Sequence, residues 1–155
     1  MGSDRVPHED YRFAVAVHEA GHAVVAAYLR FDVDHIEMKG MGGQAVSGPF
    51  VFADRVDYMA PWSAGNAAVE EVCAGYRLPV DANANSDHEK LRWIERELAA
   101  TDEEKRLARS KARKIVRSQR LHIVTIAEAL LASEGGRLEG EELERLLTPV
   151  WAANY

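Results

Sequence analysis

The chain reads as a mainly helical α+β domain built around one central helix with a small β-sheet, and three observations predict this. Residues 15–29, VAVHEAGHAVVAAYL, are apolar on more than one face, as in a helix packed on all sides. The segments DVDHIEMKG and QAVSGPFVFAD, around Gly40, Gly42 and Gly43, are rich in strand-forming residues and predict strands at 33–39 and 44–53, as a hairpin or two strands of a small sheet. Most of the chain after Pro61 has helical spacing punctuated by cap residues.

At 155 residues, 47% hydrophobic and 28% charged, the chain is long enough for one real core and too apolar to be disordered. Residues 1–7 are expected to be a flexible N-terminus and 8–155 a single domain, since no repeat or flexible linker separates the pieces.

The central helix runs from about 8 to 30 and contains no proline after Pro7 and no glycine except Gly21, which costs up to about 1 kcal/mol relative to alanine and implies that something packs closely there. Pro61 suits a first helical turn, and WSAGNAAVEEVCAGY continues it as a second helix ending near Gly75. RLPVDANAN reads as a loop. Ser86 with Glu89 and Thr101 with Glu104 are capping boxes, in which hydroxyl and carboxylate reciprocally satisfy amide protons of a first turn. A helix from about 102 to 133 places Leu107, Ile115, Ile123, Ile126 and Leu130 at core-like spacings and stops at Gly135 and Gly136; EELERLL forms a short last helix.

Charge narrows the function classes. A net charge of −6 gives no general attraction to nucleic acid, so no nucleic-acid partner is expected. The eight basic residues from Lys105 to Arg120, with no acidic one among them, read as a solvated helix face opposing an acidic surface before they read as a polyanion site. Cys73 alone cannot form an intrachain disulfide and no leader pattern opens the chain, so a cytoplasmic setting is expected. The longest apolar stretch is broken by His18, Glu19 and His22 and falls short of the roughly 20 residues of a membrane span.

Those three polar residues carry the chemistry. His18 and His22 lie four apart, so a helix puts both imidazoles on one face a turn apart, within reach of a single metal ion. Glu19 completes an HExxH pattern, in which the carboxylate is the general base for a water attacking a carbonyl and then passes the proton to the leaving amine. Chance recurrence of HExxH at this chain's own His and Glu frequencies is on the order of 2%. A catalytic zinc takes three protein ligands, and His35, Glu70, Glu71, Asp87, His88 and His122 are all candidates for the third; spacing does not choose among them. Glu70 and Glu71, on an otherwise apolar helix, are also candidates to accept the far N–H of a ligand imidazole, the solvated face being the alternative.

HEAGHAVVAAYL resembles the zinc helix of the FtsH family of membrane-bound, ATP-dependent zinc metalloproteases, and the likeness continues in order. HIEMKGMGGQAVSGPFVF is similar to that family's strand and glycine-rich segment, AVEEVCAGY to its helix with paired glutamates, NANSDHEKL to its loop delivering an aspartate ligand, and RLEGEELERLL to its C-terminal helix. The resemblance implies a compact helical metalloprotease domain in which His18, His22 and Asp87 bind Zn2+ and Glu19 is the base. It also implies that a strand at Gln44, Ala45, Val46, Ser47 and Gly48 accepts an extended polypeptide substrate. This sequence departs from the family in having DANANSD before the aspartate in place of a glycine-containing form, no threonine after the glycines, no GxxxxGK[ST] loop and no membrane span. The expected activity is therefore a zinc endopeptidase that does not itself use ATP, with room for a homo-oligomer or a separate ATPase partner. Two alternatives are an HExxH protease that cleaves one regulatory partner and a non-catalytic zinc-bearing module that uses its basic helix to bind an acidic partner.

Overall fold

A computed structural model describes residues 7–38, 54–74 and 84–154, with backbone alone for 7–10 and 84–88. Among the described residues there are six α-helices and one two-stranded sheet. The mainly helical class with a small sheet is as the sequence predicts.

The first helix, α1 (Pro7–Tyr28), is the axis of the fold: every residue from Ala14 to Ala27 is buried, whichever way it faces. Such a helix has no side to give to water, which is why its sequence lacks a polar stripe. It ends where Arg30 turns into the left-handed region at φ 69° and the amides of Arg30 and Phe31 reach back to the carbonyls of Ala27 and Ala26, both at 2.9 Å. That 5→2 and 6→1 pair satisfies carbonyls the last turn would leave open. Around α1 pack α2 (Arg55–Val72), α5 (Arg120–Ala132) and α6 (Gly140–Ala153). Two further helices, α3 (Ala84–Glu97) and α4 (Asp102–Ser118), lie against α2. No helix among the described residues is long and apolar enough to cross a membrane.

The sheet pairs β1 (His35–Glu37) with β2 (Arg137–Glu139), antiparallel, with Ile36 opposite Leu138. Ile36 and Leu138 point into the core at 2% and 1% exposure while their neighbours face outward, the alternation a half-buried ribbon demands. Glu37 and Arg137 form a cross-strand ion pair at 3.1 Å across a separation of 100 residues. The strand predicted at 33–39 is thus shorter than expected. Its observed partner comes from RLE ahead of the last helix, a strand that sequence periodicity did not reveal because three residues hold no period. The segment predicted at 44–53 lies outside the described residues.

Five helix expectations need correction. Pro61 is not in a first turn: α2 begins more than a turn earlier, where the Asp54 carboxylate accepts the Val56 amide at 2.8 Å and caps the helix. Ser86 is no cap either, because α3 starts at Ala84 and carries it inside. The single helix expected over 102–133 is two helices broken at Gln119 (φ −106°, ψ 18°). The break lets α4 follow α2 while α5 follows α1, so Ile115, Ile123, Ile126 and Leu130 all reach the core. Leu107 does not: it is 48% exposed, and Ala108, Ala112 and Ile115 form the buried stripe. The cap at Thr101 is as predicted, its hydroxyl accepting the Glu104 amide at 3.1 Å and Glu104 accepting the Thr101 amide at 2.9 Å. Arg55 then donates to the same Glu104 carboxylate at 2.9 Å and ties the starts of α2 and α4 together. The last helix runs past EELERLL to Ala153 and is clasped to α1: Arg30 donates to the Asn154 carbonyl at 3.0 Å, and the Asn154 amide donates to the Tyr28 carbonyl at 2.6 Å.

Candidate metal centre

The middle of α1 buries a polar cluster where the rest of the helix buries alanine and valine. His18, Glu19 and His22 are 1%, 2% and 6% exposed. Taking such groups out of water is costly unless specific interactions compensate, so their placement calls for a chemical reason.

The two imidazoles converge. His18 Nε2 and His22 Nε2 stand 3.1 Å apart, with the rings edge to face, 83° between their planes. The far nitrogen of His22, Nδ1, donates to the main-chain carbonyl of Pro61 at 2.6 Å. That bond holds the proton on Nδ1 and leaves the Nε2 lone pair directed at the meeting point. Two imidazole nitrogens brought this close favour an electropositive occupant between them. The spacing is compatible with both being ligands of one zinc ion at Zn–N distances of about 2.0–2.1 Å. The donor set and its hydrogen-bonded support therefore fit a metal ion.

The local sequence of both helices makes the approach feasible. A Cβ built on Gly21 would lie 2.5 Å from the Ala68 Cβ and 2.9 Å from the Ala64 carbonyl oxygen, so α1 and α2 touch at backbone distance there. The close packing expected at Gly21 is against α2. On the facing surface of α2, Pro61 and Gly65 are one turn apart; the first supplies the acceptor for His22, and the second leaves space beside both rings. Sequence reasoning singled out neither residue for the site. The available signal was the run of small residues at helical spacing, Ala60, Pro61, Ala64, Gly65 and Ala68, all buried.

The other predicted residues lie elsewhere or beyond description. The backbone of Asp87 lies in the first turn of α3, while its side chain and that of His88 are outside the described residues, as are Gln44, Ala45, Val46, Ser47 and Gly48. Among the described residues no group of three or more His, Cys, Asp and Glu side chains is placed to hold a metal ion. Glu70 is exposed and Glu71 half-buried near the end of α2. His35, half-buried on β1, has its Nδ1 2.8 Å from the Asp34 carboxylate, and His122 on α5 has its Nδ1 2.8 Å from Gln119 Oε1.

The basic run lies on the outer side of α4 and the start of α5. Lys111 pairs with Asp57 of α2, Lys105 with Asp102 and Arg106 with Glu103. Arg109, Arg113, Lys114, Arg117 and Arg120 are exposed and have no carboxylate partner among the described residues. No protein-family model and no curated protein matches the chain, so the chemistry of the site rests on its own residues.

Proposed function

We propose that this protein is a zinc-dependent endopeptidase that hydrolyses peptide bonds of unfolded or flexible polypeptides, as the resemblance to FtsH-type protease domains implies. The observation that carries the reading is the buried pair of Nε2 atoms 3.1 Å apart with Glu19 in the same turn of helix. In this reading His18, His22 and Asp87 hold the ion. Zinc, when bound, supplies Lewis acidity that polarises the scissile carbonyl and lowers the pKa of water toward about 7.

The remaining steps belong to the chain. Glu19 accepts the proton of the attacking water and delivers it to the departing amine, a transfer suited to a carboxylate that sits beside the ligands without being one. The Pro61 carbonyl keeps His22 in the tautomer that can bind a cation. The resemblance assigns substrate binding to residues 44–48, which would hold an extended polypeptide through main-chain hydrogen bonds. The sequence carries no phosphate-cradling loop with which to bind ATP, so the hydrolysis proposed for this chain is not coupled to nucleotide.

The test is metal analysis together with hydrolysis of an unstructured fluorogenic protein, comparing the parent with Glu19→Gln. The variant should keep its fold and its zinc while turnover falls on the order of 10²-fold or more. Unchanged turnover ends the assignment. Zinc binding with no Glu19-dependent hydrolysis of any polypeptide points to the interaction module, and activity confined to one folded protein points to the regulatory protease.

A further inference from the structure

We propose that Gly65 is the positioning residue of the histidine pair: the absence of a side chain at this place on α2 is what allows the two Nε2 atoms to converge. The inference deepens the metal-centre reading and rests on it for its functional meaning, though not for its geometry.

A Cβ at position 65 would lie 2.5 Å from His18 Cε1, 2.6 Å from His18 Nε2 and 2.6 Å from His22 Nε2. Non-bonded heavy atoms do not tolerate such distances, so a side chain here requires a ring, or α2 itself, to shift. Both rings are confined. His18 and His22 are almost wholly buried, and His22 is held to α2 through the bond from Nδ1 to the Pro61 carbonyl.

Pro61 and Gly65 lie on one face of α2, four residues apart, and act on the same ring from its two ends. The carbonyl of Pro61 draws in Nδ1, and the bare Cα of Gly65 makes room for Nε2. Moving His22 away from position 65 would break the first contact, while moving His18 would open the 3.1 Å approach between the nitrogens. Gly21 provides the contrast, because the atoms nearest a Cβ there belong to Ala68 and Ala64, which are packing residues. Both glycines allow the helices to touch, but Gly65 alone of the two faces imidazole. Gly65 has no functional group to offer a substrate; it acts through His18 and His22.

The experiment compares Gly65→Ala with Gly21→Ala in the full chain, each in the parent and in a His18→Ala/His22→Ala background. Three quantities are read: thermal midpoint of the metal-free protein, imidazole 15N–1H spectra of the metal-free protein, and affinity for Zn2+. Gly65→Ala should lower the midpoint in the parent, remove the protected Nδ1–H signal of His22 or shift it strongly, and weaken Zn2+ binding at least about tenfold. In the background without the histidines it should leave the midpoint unchanged or raise it, because the clash has gone and alanine favours the helix. Gly21→Ala should lower the midpoint similarly in both backgrounds. Equal destabilisation by Gly65→Ala in both backgrounds, or an unmoved imidazole spectrum, would overturn the proposal. If Gly65→Ala alone does not fold, recovery of folding in the triple variant supports it, and failure there while the double histidine variant folds refutes it. A chain that shows the coupling but binds no zinc retains the role of Gly65 and loses the metal reading. Parent-like Zn2+ affinity in Gly65→Ala does the reverse.

Discussion

The imidazole of His22 donates its Nδ1–H to the backbone carbonyl of Pro61 at 2.6 Å, so a main-chain atom of α2 sets the tautomer of a side chain on α1. Pro61 lies inside a helix, where proline removes a ladder hydrogen bond and ordinarily costs about 3 kcal/mol. Here the residue is buried on α2, and its carbonyl has a partner outside its own helix. The site is therefore a property of two helices, and its testable consequences concern both.

The first consequence concerns the third ligand. A carboxylate from Asp87 would partly offset the charge of the cation, so Asp87→Ala should cut zinc affinity severely while His35→Ala, outside the proposed ligand set, leaves it nearly unchanged. Competition titration with a chromogenic chelator measures both. Release of the metal by His35→Ala, with Asp87→Ala still binding, would move the ligand to β1.

Packing at Gly21 gives a second prediction. Gly21→Ala drives a methyl group into Ala68 and the Ala64 carbonyl, and overpacking of this kind costs about 1–3 kcal/mol. Urea unfolding should show the loss. Adding Ala68→Gly removes the nearest clashing atom and should recover part of it; a double variant no more stable than Gly21→Ala would mean that the Ala64 backbone contact dominates.

The capping box at α4 predicts a pH dependence. The Glu104 carboxyl is held below its ordinary range, first by the hydrogen bond from the Thr101 amide and then by Arg55. A carboxyl whose folded pKa is depressed contributes stability that is complete above its unfolded value and is lost as pH falls through the folded one. The thermal midpoint of the parent should exceed that of Glu104→Gln at neutral pH, and the gap should close on acidification below about pH 4.5. A gap that stays constant to pH 2 would show that the charge contributes nothing.

A fourth prediction addresses the substrate. Polypeptide that is already extended, or that opens by its own fluctuations, can lie along a strand and present a carbonyl to the centre, so cleavage should track the unfolded fraction of the substrate. A stably folded protein and a destabilised variant of it, each offered with and without ATP, provide the comparison. Equal cleavage of the two, or stimulation by ATP with the purified chain alone, would contradict an uncoupled endopeptidase.

Much of this was determined by the sequence alone, wherever the physics is local. The all-round apolar helix with His18, Glu19 and His22 at its centre, the close approach at Gly21 and the reciprocal cap of Thr101 and Glu104 follow from helical period, side-chain volume and hydrogen-bond valence within a few residues. Tertiary structure decided what depends on a neighbour distant in the chain. The break at Gln119 occurs in RSQRL, which contains neither glycine nor proline, because α4 and α5 must follow different helices. Three-residue β2 is a strand because β1 offers it unpaired amides and carbonyls from 100 residues away. Pro61 and Gly65 came to face the His18–His22 pair only when α2 was laid against α1. A carbonyl and an absent side chain leave no chemical signature in a sequence, and their meaning is set by the ring they face.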